Sequence, residues 1–115
     1  MEPRQHITKQ YYRKAEEVER RLRKEIEETL TFCKESKLGY THWVDTFFNP
    51  AINALAPLSK EASPIRRLSD ACINLQVFGG MGSWSDEGGG NIDSLYAAYK
   101  EANNLYQEAW AQGVK

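Results

Sequence analysis

Two cysteines, two histidines and a run of glutamates are the residues of this 115-residue chain whose types could support catalysis or metal binding. Cys33 and Cys72 both lie in apolar, helix-patterned stretches without CxxC spacing. Such thiols pack inside and stay protonated, whereas the thiolate is the nucleophile. Cys33 and His42 form a nucleophile–base pair only if the fold brings them together. A Cys33–Cys72 disulfide is conceivable, but no apolar leader in Met1–His6 points to export. His6 sits near the start of the chain, and His42 falls at a helix start, where the positive dipole end disfavours imidazolium. Zinc needs three or four ligands at a recognisable spacing, and the sequence shows no such group. No catalytic residue, metal or cofactor is expected.

Glu16, Glu17, Glu19, Glu25, Glu27 and Glu28 alternate with Arg13, Lys14, Arg20, Arg21, Arg23 and Lys24. This is the pattern of a solvated helix face laced with ion pairs such as Glu16–Arg20 and Glu17–Arg21. Matched charges cancel the local field, so nucleic acid is not an expected partner.

The remaining chemistry lies in Gly79-Gly80-Met81-Gly82-Ser83-Trp84-Ser85-Asp86-Glu87-Gly88-Gly89-Gly90. It lacks the Gly-Lys-Ser/Thr ending of a phosphate loop and does not match GxGxxG. Glycine permits tight reversals here. Trp84 and Met81 either tuck back as apolar plugs, or Trp84 stands out as an interface anchor. Asp86 and Glu87 are either an acidic contact or caps of the next turn.

These residues must be positioned by helices. Ile7, Tyr11, Ala15, Val18, Leu22, Ile26, Leu30 and Cys33 form a helical stripe, predicting a helix over residues 5–37 closed by Gly39. Thr41 is the expected N-cap of a second helix through Phe48, followed by a cap-then-Pro start at Asn49-Pro50 and a short helix to Ala56. Ser63-Pro64 repeats that signature and starts a helix running to about Phe78. Asn91 is the expected cap of a last helix to about Gln112, closed by Gly113. Tyr11, Tyr12, Tyr96, Tyr99 and Tyr106 are expected between the two long helices. The predicted fold is a single all-α domain over residues 1–115, a small bundle of four to five helices with long first and last members packed antiparallel.

Hydrophobic residues make up 41% of the chain, enough for one core at this length. No stretch approaches a membrane span, and a cytoplasmic location is expected. Residues 1–37 carry 10 Lys+Arg against 8 Asp+Glu, and residues 38–115 carry 5 against 8. The mildly acidic second part suits a basic partner surface.

Phe78-Gly79-Gly80-Met81-Gly82-Ser83-Trp84-Ser85-Asp86 resembles the FGGMGS motif of small helical bacterial proteins that look like immunity proteins of toxin–immunity systems. His42-Trp43-Val44 is similar to a His-Trp pair in those proteins. The likeness covers Thr41 to Asp86. It departs at Glu87-Gly88-Gly89-Gly90, where the family continues with apolar residues. The resemblance implies an immunity protein, as in a contact-dependent inhibition system, that binds a cognate toxin's C-terminal domain and occludes its active site. Against a basic cleft, Asp70, Asp86, Glu87 and Asp93 are the implied contacts, with Trp84 as central anchor. Such a protein is a monomer or weak dimer. The alternative is an oligomerising helical module in which the stripe of the first helix pairs with a second copy.

Overall fold

The structure is a computed structural model that describes residues 3–38, 40–75, 84 and 90–115. Helix α1 (Pro3–Glu35) runs the length of the molecule, which measures 55 × 27 × 19 Å. Proline is tolerated in its first turn because the N–H there has no helical partner. Ala15, Val18, Leu22, Ile26 and Cys33 are fully buried, as the stripe requires. Ile7 is exposed, so the stripe is covered only from its second turn onward. Gly39, the expected closing residue, lies outside the described residues.

The last helix, here α5 (Ile92–Ala111), packs antiparallel to α1. Tyr11 Oη donates to Glu108 at 3.1 Å, Arg21 pairs with Glu101, and Thr29 Oγ1 lies 2.9 Å from Asn91 Oδ1. Positions rise along one helix as they fall along the other. Arg21 thus bridges to α5 where an i,i+4 pair with Glu17 was expected. Gly113 ends α5 at φ 80°. Its amide donates to Trp110 O and that of Val114 to Ala109 O, a Schellman closure that buries Val114. At the other end Asn91 makes no cap bond. Its side chain instead donates to Glu25 O and Oε1 at 2.9 and 2.7 Å, tying α5 to α1.

The segment after α1 departs most from expectation. Tyr40, not Thr41, sets the start, in a left-handed backbone at φ 48°. From there the chain is helical throughout: α2 (Thr41–Trp43), a π-helical turn (Val44–Phe48) and α3 (Asn49–Asn53). Asn49 has helical dihedrals and caps nothing. The wide turn relieves the clash between the Pro50 ring and the carbonyl four residues back, so the helix passes through the proline.

Helix α4 (Pro64–Asn74) begins as predicted, with Ser63 Oγ accepting from Arg66 N at 3.1 Å. It stops at Asn74, and residues 76–78 lie outside the described residues. Ile65, Leu68, Ala71, Cys72 and Leu75 fill the core between α1 and α5. The protein is a small all-α bundle with long first and last helices, and no strand occurs among the described residues.

Candidate interaction surface

The proposed anchor, Trp84, is fully buried. Its ring lies 5.0 Å from that of Phe48, 5.1 Å from Tyr40, 5.4 Å from Trp43 and 6.4 Å from Phe32. This corrects the surface reading in favour of the plug. Several aromatic edge-to-face contacts on a large apolar side chain outweigh any gain from exposure. The indole Nε1 is buried without a partner among the described residues.

Asp86 and Glu87 lie outside the described residues. Asp70, half-buried on α4, accepts from Arg66 Nε of its own helix at 3.3 Å. Asp93 is exposed in the first turn of α5, where the helix dipole favours a carboxylate. It lines a shallow depression with Gly90, Asn91, Ile92, Ser94 and Tyr96. Asp70 and Asp93 stand on different helices with different neighbours.

One flank of α5 is aromatic, with Tyr96 and Trp110 exposed, Tyr99 half-buried and Tyr106 buried. Ile92, Tyr96, Tyr99, Asn103, Tyr106 and Trp110 follow one another at intervals of 4, 3, 4, 3 and 4, and so share one flank of the helix. Tyr96 is 41% and Trp110 44% exposed. The Tyr96 and Tyr99 rings stack at 6.4 Å, and Lys100 Nζ sits 4.5 Å from the Tyr96 centroid. Tyr106 and Trp110 meet edge to face at 4.9 Å. Cys72 Sγ approaches Tyr99 O at 4.0 Å, and the next residue of α4, Ile73, is 56% exposed. Ring-to-ring packing on a rigid helix fixes these side chains in advance, which lowers the cost of binding. Of the tyrosines expected between the long helices, Tyr11 joins α1 to α5, Tyr12 Oη donates at 2.7 Å to Lys115 O beyond the end of α5, and Tyr106 is buried. Tyr96 faces outward. The signal for the flank was the second 4-3 series, one step round the helix from Leu95, Ala102 and Ala109.

Sequence reasoning also placed Glu19 on the solvated face, and the structure buries it. Its carboxylate accepts from Arg67 Nε at 2.7 Å and Nη2 at 3.0 Å, and from Ala56 N at 3.0 Å. Arg67, also buried, donates its Nη1 to Ala62 O at 2.7 Å. The Glu19 carboxylate raises the Arg67 guanidinium further above its ordinary value, chiefly by hydrogen bonding. The signal was present: Ala15, Glu19, Leu22, Ile26, Thr29 and Cys33 form an uninterrupted 4-3 series, which puts Glu19 on the inward face.

Both cysteines are buried free thiols. Burial pushes the Cys72 thiol up to about 12 and raises that of Cys33, which suppresses thiolate at neutral pH. Among the described residues, no three His, Cys, Asp or Glu are grouped to hold a metal ion. No described helix is long and apolar enough to cross a membrane.

Comparison with protein-family models, curated proteins and solved structures finds no match.

Proposed function

We propose that this protein acts by recognition, binding a protein partner through the outward flank of α5. The observation that carries the reading is the exposed pair Tyr96 and Trp110 on that flank, backed by the half-buried Tyr99 and the buried Tyr106 on a helix fixed at both ends. Tyrosine and tryptophan are the residue types that anchor interfaces. The acidic balance of residues 38–115 favours a partner with a basic surface. Together with the FGGMGS resemblance, this supports a cytoplasmic immunity protein that neutralises a toxin domain by covering its active site. Trp84 has no part in the contact, since it belongs to the core.

A second reading has one specific observation behind it. The 4-3-4-3-4 spacing of the α5 flank is also that of a helix–helix seam, so a second copy of the chain is the alternative occupant. The seam first expected on α1 is covered by α4 and α5 within the chain.

The test is to co-express the chain with the product of the neighbouring gene, and to measure growth and the mass of the purified species. Rescued growth with a 1:1 complex supports the reading, and Trp110→Ala should weaken both. A stable homodimer that neither binds nor protects overturns it in favour of the seam.

A further inference from the structure

Tyr96, Asn103 and Trp110 follow one another on α5 at intervals of seven, so they share one line of the helix that drifts only about 20° per repeat. Tyr96 and Trp110 are the exposed large side chains of that helix, at 41% and 44%. Asn103 stands midway, about 10.5 Å along the axis from each. It is half-buried, and its amide has no hydrogen-bond partner among the described residues. An amide carries both donor and acceptor, so two amides related by a two-fold axis satisfy each other with reciprocal bonds. An asparagine in an otherwise apolar helix seam sets register in this way.

We infer that a second copy of this chain covers the α5 flank in the free protein, with the two α5 helices antiparallel about a two-fold axis through Asn103. That axis sets Tyr96 of each copy against Trp110 of the other, because both lie seven residues from the centre. Each exposed ring thereby gains an aromatic neighbour. Charge selects the direction. In the antiparallel pair each Lys100, held over its own Tyr96, stands level with Tyr106 and Gln107 of the other copy. A parallel pair would set Lys100 level with Lys100 and Asp93 level with Asp93, and like charges brought together oppose association. Two rings and one amide per copy are far fewer than the roughly 20 residues a side of a stable dimer. The pair is therefore weak and reversible, monomeric at about micromolar and dimeric at about millimolar concentration. The inference rests on the reading of this flank as a contact surface, and names what another partner must displace.

The experiment is sedimentation equilibrium of the full chain from micromolar to millimolar concentration. The samples are the wild type, Trp110→Ala, Asn103→Asp, Asn103→Lys, and a 1:1 mixture of the last two. The wild type should pass from monomer to dimer, and Trp110→Ala should associate about tenfold more weakly. Each charged variant alone brings like charges together at the axis and should associate about tenfold or more weakly, with an unchanged melting temperature. The mixture should recover at least the wild-type association, because opposite charges then meet. Isotope-filtered Overhauser contacts in a mixture of labelled and unlabelled wild type should join Tyr96 to Trp110. A wild type that stays monomeric at millimolar concentration overturns the inference, and leaves the binding of another protein, measured at micromolar concentration, as it was. A mixture that associates no better than its components overturns the axis at Asn103. Contacts from Trp110 to Trp110 in place of Tyr96 overturn the antiparallel arrangement. Should both charged variants melt early, the filtered contacts of the wild type decide alone.

Discussion

Two groups of buried polar atoms lie at opposite ends of the short middle segment, and they differ in how they are satisfied. At one end Arg67 donates two hydrogen bonds to Glu19 and a third to Ala62 O, and the Glu19 carboxylate also accepts from Ala56 N. At the other, Trp84 is enclosed by Phe32, Tyr40, Trp43 and Phe48, and its Nε1 has no partner among the described residues. Tyr40, one wall of that enclosure, sits at φ 48°, a region that costs a non-glycine residue roughly 1 kcal/mol or more. The ionic end is specified by direction, since each bond has one geometry. The aromatic end is specified by bulk, and tolerates a strained backbone because the ring contacts outweigh it. The protein therefore uses polar geometry where a loop must be held, and apolar volume where the core must be filled.

The sharpest way to break this contrast is to remove one partner of the ionic end. Glu19→Ala leaves Arg67 charged and buried, and should lower unfolding free energy by about 3–5 kcal/mol. Replacing both residues by methionine should change it by no more than about 1 kcal/mol. Urea denaturation of the two variants checks this, and equal losses would mean that the pair matters for the core more than for the loop.

At the aromatic end the expectation is graded by volume. Trp84→Ala should cost about 3–5 kcal/mol by opening a cavity. Trp84→Phe should cost only about 1–2 kcal/mol, because it keeps most of the ring volume. A phenylalanine variant as unstable as the alanine one would show that the indole N–H does have a role.

The smallest effect concerns Cys72, whose ordinary value of 9.0 is pushed up to about 12 by burial. The folded chain favours the protonated thiol. Its contribution is complete below pH 9 and is lost as pH rises through 9 towards about 12. Cys72→Ala should therefore flatten the fall in stability on that alkaline limb, measured by chemical denaturation at successive pH values.

The long helices were legible because one period governs many residues. The α1 stripe, Ser63 as cap and Gly113 as terminator all lie where spacing and residue type put them. The middle segment was not, because distant contacts decide it. Tyr40 takes its backbone from packing on Trp84, and Asn91 gives up its cap for Glu25. Nothing local in residues 40–50 announces a π-helical turn through Pro50. The candidate surface was legible only in part. Glu19 and the α5 flank each lie on a 4-3 series that local charge and a first, more apolar stripe obscured. Trp84 was readable as plug or anchor, and only the enclosing rings decide between them.

The central claim is that recognition uses a prepared surface, the α5 flank. The most direct measurement is amide hydrogen exchange of a 1:1 complex with the product of the neighbouring gene against the free chain. Slowed exchange along Asp93–Trp110 is the predicted result. Slowing confined to the outer charged face of α1, with the α5 flank exchanging as in the free chain, would contradict it.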